Sequence, residues 1–239
     1  MDYGLQMYSV RDITDKDLLG ALEKVAGMGY KLIEFAGFFG YKAEDVKAKM
    51  DELGVKASGT HTGLNALVED FEGTVAYHKA IGCANLIIPG HDLSSKEKID
   101  DFVEKVNYYQ PLLAKEGIKL GYHNHSHEFI PNADGSVIYD ELTARTAMNL
   151  EIDTFWAFNA GKDPVAMMEA FKDRLFFIHI KDGFKGGEGK PLGQGEAPVK
   201  AVYRKAKEMG IPMVVESETL TPDGVTEAKA CIDFLKAQE

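Results

Sequence analysis

Five times along this chain a helix-like segment stops at a glycine just before an apolar, β-rich run: MGYKL at Gly29, LGVKA at Gly54, IGCAN at Gly82, EGIKL at Gly117 and MGIPM at Gly210. A helix that ends in a left-handed residue favours glycine there, because a side chain would crowd the backbone. One stop signal used repeatedly implies one structural unit repeated. The β-rich runs are YGLQMYS, KLIEFAG, KASGTHT, ANLIIPG, IKLGYHN, MNLEIDT, LFFIHIK and PMVVESE. Each precedes a stretch patterned like an amphipathic helix, among them DLLGALEKVAGM, AEDVKAKMDEL, SKEKIDDFVEKVNYYQPLLAKE and VKAVYRKAKEM.

Eight strand–helix units in 239 residues predict an α/β fold, a closed (β/α)8 TIM barrel of the usual ~250-residue size, as a single domain over residues 1–239. The alternative is an open doubly wound sheet. Its usual cofactor needs a glycine-rich phosphate turn after the first strand, and MYSVRD has none. A hydrophobic content of 45% is ample for a core. The 27 basic and 38 acidic residues leave a formal charge of -11, which opposes binding to nucleic acid or to an anionic membrane surface. No apolar run approaches the roughly 20 residues that cross a bilayer, and MDYGLQMYSVRD lacks the basic start of a signal peptide. Cys83 and Cys231 are isolated, with neither metal-type spacing nor a disulfide framework. A cytoplasmic protein is expected, with its oligomeric state, homo-oligomer included, left open.

Such a barrel carries its chemistry at the C-terminal strand ends, where eight loops meet. Strand two ends near Glu34, strand three near His61, strand four near His91, strand five at His123 and His125, strand six at Asp153, strand seven at His179 and strand eight at Glu216. Only His78 among the histidines lies on a helix, so the others are not scattered as surface residues would be. Asp153, His179 and Glu216 read as the single charged or imidazole group within LEIDTFW, FFIHIKD and MVVESE. Burying them requires a compensating partner. Mixed carboxylate and imidazole ligands suit a borderline divalent metal and suit calcium poorly. The competing readings are structural: Asp153 as a helix cap, His179 as a satisfied core histidine, Glu216 paired with a lysine.

GYHNHSHEF, residues 121–129, puts His123 and His125 on one side of strand five with Asn124 pointing away. His127 falls in the loop beyond, and Glu128 either lies at the surface or folds back over the metal. FKGGEGKPLGQGEAP, residues 184–198, reads as a flexible loop, a mobile lid or a phosphate cradle. Tyr8 and Arg11 follow strand one, the arginine holding a substrate anion or pairing with Asp12. Trp156 with Phe35, Phe38 and Phe39 offers an apolar wall for the C–H face of a sugar.

In this order, LQMYSVRD, IEFAGFFG, GYHNHSHEF, LEIDTFWAFNAGKDP, HIKD and VVESE resemble the xylose isomerase-like TIM barrels of sugar phosphate isomerases and epimerases, over essentially the whole chain. The resemblance implies one divalent metal ion, manganese first, with zinc, cobalt, iron or magnesium as alternatives. It would be held by Glu, Asp, His and Glu from strands five to eight. The last three fall on Asp153, His179 and Glu216, whereas the first falls on His123, leaving His123, His125 or Glu128 as the fourth ligand. The implied activity is isomerisation or epimerisation of a small-molecule sugar or sugar phosphate through an enediolate. Glu216 or His123 would serve as base, and His125, Glu34 or Lys181 as the second acid/base or hydroxyl-holding group, with Tyr8, Arg11, His61, His91 and Trp156 around the substrate. A keto-sugar or keto-inositol lyase on the same site is the close alternative. An endonuclease IV-type nuclease or a sugar-binding barrel without catalysis is the more distant one.

Overall fold

A computed structural model describes residues 1–239. Eight parallel strands form the barrel: β1 Tyr3–Gln6, β2 Leu32–Phe35, β3 Lys56–His61, β4 Asn85–Ile88, β5 Lys119–His123, β6 Asn149–Asp153, β7 Leu175–Ile180 and β8 Met213–Val215. The sheet closes in the order β1-β8-β7-β6-β5-β4-β3-β2, so each strand pairs with its neighbours in sequence and β8 returns to β1. The eight sequence runs therefore all become strands. Helices over Leu18–Met28, Ala43–Leu53, Lys96–Lys115 and Val199–Met209 match the amphipathic segments closely. In the first, Leu18, Ala21, Leu22 and Val25 are buried, the spacing of one helix face. Gly29, Gly54, Gly82 and Gly210 cap their helices in the left-handed conformation.

Most of the apolar core lies between strands and helices. Inside the barrel the plug is small: Ile87, Phe177 and Val214. Gly59 makes room for it, since a Cβ there would sit 2.6 Å from Ile87 Cδ1 and 2.9 Å from the Phe177 ring. Above this plug the interior is polar. Register sets the levels: His123 is paired with Glu151 and Asp153 with His179. The register slips by one residue between Ile33 and Glu34 and between Leu150 and Glu151; such irregularities re-aim side chains, and both precede an interior glutamate. Cys83 and Cys231 are free and buried. No helix is long and apolar enough to cross a membrane.

Candidate active site

At the C-terminal rim, His123, Asp153, His179 and Glu216 present ligand-type atoms that all lie within 4.8 Å of one another. All four side chains are buried. His179 Nδ1 lies 3.3 Å from Glu216 Oε2 and 3.9 Å from Asp153 Oδ2. Asp153 is a helix cap, one of the readings the sequence allowed: Oδ1 accepts the Trp156 backbone N–H at 2.8 Å and caps the short helix Thr154–Asn159, while Oδ2 is buried without a hydrogen-bond partner. An unpartnered carboxylate oxygen away from water is costly. It points among two imidazoles and a second carboxylate, with the Lys181 ammonium 3.9 Å away, and the carboxylates and imidazoles are a donor set that fits a borderline divalent cation. Asn124 braces this level, its side chain exchanging hydrogen bonds with the Asp153 backbone.

A second layer lies beneath. Glu151 was missed in the sequence, although it stands two residues before Asp153 in LEID and so shares its face of the strand; Asp153 is not the only charge in that run. Glu151 Oε2 lies 2.8 Å from His61 Nε2 and 3.2 Å from His123 Nδ1, and Oε1 lies 2.9 Å from His179 Nε2. Glu34 Oε2 reaches the same His179 Nε2 at 2.6 Å. Two carboxylates thus flank Nε2 of His179, while Nδ1 faces Asp153 and Glu216. This is the usual way a carboxylate orients a ligating imidazole.

Burial drives the electrostatics. It raises Glu34 to about 7, with the Glu151 charge adding to the effect, and raises Asp153 to about 7 against the pull of Lys181. Burial lowers His123 to about 3. For His179 burial works against the cation, yet the carboxylates of Glu151, Glu34 and Glu216 outweigh it and push the imidazole well up. For Glu216 burial is likewise outweighed, here by Lys181 and His179, which hold the carboxyl well below its ordinary value. Lys181 Nζ donates to Glu216 at 3.1 Å and to Glu218, and lies 4.7 Å over the Trp156 ring.

Above the rim opens a hollow of about 380 Å³ whose lining includes Tyr8, His61, His123, His125, Glu216 and Glu218. Glu218 was not singled out in the sequence; ESE places it two residues after Glu216. His125 is half-buried, and burial that disfavours its charge is outweighed by Glu128, raising its pKa.

Several sequence candidates are placed elsewhere. β4 stops at Ile88 before Pro89-Gly90, so His91 sits in the loop against Phe102 (ring centroids 5.1 Å) and faces a separate hollow with His127. Glu128 is buried but accepts from the Tyr122 hydroxyl and the His125 backbone N–H, so both its oxygens are turned from the Asp153 group. The Arg11 guanidinium donates to the carbonyls of Tyr8 and Glu218 rather than to Asp12 or the hollow. Trp156 lies beneath Lys181, Phe35 is core, and Phe39 is exposed to solvent. Glu34 and Lys181 sit below the hollow, not on its wall. The glycine-rich segment 184–198 is tied down: Asp182, buried, accepts the backbone N–H groups of Gly183, Gly193, Gly195 and Ala197.

A closed parallel barrel with carboxylates and imidazoles gathered at the C-terminal strand ends defines an enzyme-type (β/α)8 protein. Residues 22–238 match the model of the xylose isomerase-like TIM barrel family, and the chain belongs to that family. It is 23% identical to the inosose dehydratase of Geobacillus kaustophilus (strain HTA426) over 186 residues, 67% of this chain and 60% of that protein. It is 24% identical to the 2-oxo-tetronate isomerase of Haemophilus influenzae over 219 residues, 80% of this chain and 83% of that protein. Among solved structures, a sugar phosphate isomerase/epimerase from Parabacteroides distasonis superposes with a TM-score of 0.85 at 26% identity, covering 98% of this chain and 96% of that one. These relatives support an enzyme, with isomerases, epimerases and dehydratases as its kin.

Proposed function

We propose that this protein is a divalent-metal-dependent isomerase or epimerase that moves a proton next to the carbonyl of a sugar or sugar-derived acid. The observation that carries the reading is the buried Asp153 Oδ2, which takes no hydrogen bond and is aimed among His123, His179 and Glu216 beneath an open hollow. His123, Asp153, His179 and Glu216 would hold the metal, manganese first. When bound, it would supply Lewis-acid polarisation of the carbonyl and raise the acidity of the neighbouring C–H. The chain's own groups do the rest. Glu34 and Glu151 fix the tautomer of His179. Lys181 ties Glu216 and Glu218 in place. His125 and Glu218 both line the hollow, where they take a proton from one carbon and return one, and the raised pKa of His125 suits it to both directions.

Two of the relatives are named for 2-oxo-tetronate and inosose, both keto compounds, whereas the Parabacteroides protein is named for sugar phosphates. Lys181 and Arg11 are committed to protein acceptors, so neither is free to grip a phosphate dianion, and an unphosphorylated substrate is the reading favoured here. A dehydratase is the second reading, favoured by the Geobacillus relative: the same proton abstraction followed by loss of a β-hydroxyl protonated by His125. The test is incubation of the manganese-loaded protein with keto-sugars, 2-oxo-tetronates and inososes in deuterated water. Deuterium entering a C–H position of recovered substrate or product is expected. Its absence across the panel with stoichiometric metal bound would overturn the reading.

A further inference from the structure

We infer that the substrate is a two-ring sugar, a keto-glycoside whose second, uncharged ring occupies its own subsite over the loops that follow β2 and β3. This rests on the carbonyl chemistry proposed above for the first ring. A second hollow, of about 360 Å³, lies beside the first, and His61 lines both. They adjoin along the backbone too: Ala36 belongs to the first, and Gly37, Phe38 and Thr62 to the second. Each hollow is of ligand size, in the range ~300–1,000 Å³.

The second hollow has a fixed aromatic wall. The Phe38 and Tyr77 rings stand 4.1 Å apart, and Phe38 is backed by Phe35 at 5.1 Å. The Tyr77 hydroxyl donates to the Tyr41 carbonyl at 2.8 Å, so its ring is held while remaining half-buried. Fixed rings of this kind suit the C–H face of a sugar. The same hollow carries the carboxylate of Asp70, whose Oδ1 accepts the Gly73 N–H at 2.9 Å. Its Oδ2 takes no hydrogen bond from the protein and is left as an acceptor for a sugar hydroxyl.

The backbone bends to build this wall. Gly37, Phe39 and Gly40 have φ of 95°, 51° and 81°. For Phe39, which is not glycine, that conformation is strained. The bend leaves Phe38 lining the hollow and Phe39 in solvent. Charge narrows the occupant: Asp70 repels a phosphate or carboxylate extension, and its free oxygen beside the aromatic wall matches the hydroxyls and C–H face of a neutral glycosyl group.

The experiment measures binding, so that it stands apart from turnover. Manganese-loaded protein is titrated by calorimetry with the ketose disaccharides lactulose and isomaltulose and with their single-ring parent fructose. The same titrations follow with Ala66→Phe, which fills the second hollow, and Phe38→Ala, which removes its wall. The expected result is at least tenfold tighter binding of a disaccharide than of fructose to the wild type. Both variants should lose that preference and keep fructose affinity within about twofold, the size of a change remote from the first site. Equal affinity for one and two rings in the wild type, or an undiminished preference in a folded Ala66→Phe protein, would overturn the subsite. The deuterium-exchange test above can fail independently of either outcome.

Discussion

Asp182 gives the sharpest quantitative expectation. Its Oδ1 accepts from Gly183 N at 2.8 Å and Ala197 N at 3.1 Å, and its Oδ2 from Gly193 N at 2.8 Å and Gly195 N at 3.0 Å. One buried carboxylate thereby closes the segment 184–198 on itself and fixes the hairpin in which Asp182 and Gly183 pair with Lys190 and Gly189. Hydrogen bonds to a charged acceptor are worth ~1.5–3 kcal/mol each. Gly193 is exposed and Gly195 and Ala197 are only half-buried, so water replaces part of what is lost, and counting two of the four at the low end of that range gives about 3 kcal/mol for Asp182→Ala. For a chain of this size that is a fall in Tm of about 6–12 °C.

Asp182→Asn separates this account from a merely steric one. A carboxylate is acceptor-only on both oxygens, whereas an amide turns an NH2 toward one of the two N–H pairs. The isosteric variant is therefore expected to lose nearly as much as alanine, about 3 kcal/mol. Thermal unfolding followed by circular dichroism gives the stability. Hydrogen exchange of Gly193, Gly195 and Ala197 gives the local effect, with slow exchange in the wild type and fast exchange in both variants. An Asn variant that melts with the wild type and keeps those amides protected would refute the reasoning.

Three further expectations follow. Manganese at ~100 times its dissociation constant should stabilise the metal-stripped protein by about 2.7 kcal/mol, a Tm rise of about 5–11 °C; Asp153→Asn should abolish the rise, and a flat response in the wild type would count against the metal. His78 is buried between the Thr60 hydroxyl and the Thr74 carbonyl, and burial lowers its pKa below 6.5. The unfolded chain therefore binds a proton at His78 that the folded protein refuses, so stability is lost as pH falls below 6.5, by up to ~1.4 kcal/mol per unit. Denaturant unfolding of His78→Gln between neutral pH and about pH 5 should show a shallower loss than the wild type, and parallel curves would refute the assignment. His91→Ala, far from the Asp153 group, should leave kcat/KM within about twofold; a large loss in turnover would return His91 to the site.

The barrel was legible because its signals are local. Strands buried on both faces read as apolar runs, and a helix that ends left-handed before a strand leaves a glycine in the text. The rim was legible for a related reason: a charge inside an apolar run is conspicuous, as with His179 in FFIHIKD and Glu216 in MVVESE. What was hidden depends on partners distant in the chain. Arg11 binds the Glu218 carbonyl, a group that every residue possesses and no sequence pattern marks. The glycines of segment 184–198 suggested mobility because their common acceptor, Asp182, lies before the segment and looks like part of a strand end. His91 was assigned to a strand that Pro89-Gly90 had already stopped.

Glu34 and His61 read as site residues, but Glu151 and the way the three meet beneath the rim were hidden for a deeper reason. Glu34, His61 and Glu151 come from β2, β3 and β6, and only barrel closure brings them to His179, where two carboxylates meet one imidazole edge. One carboxylate would suffice to orient that ring. Burial and the Glu151 charge raise Glu34 to about 7, while for Glu151 burial is outweighed by the imidazoles of His179 and His61, which hold it well below its ordinary value, so the pair shares its protons and titrates as a unit. Raising one carboxyl while lowering the other disfavours two ionised carboxylates side by side at the imidazole edge. The barrel interior thus holds His179 Nδ1 toward the rim at a lower desolvation cost than two ionised glutamates would carry.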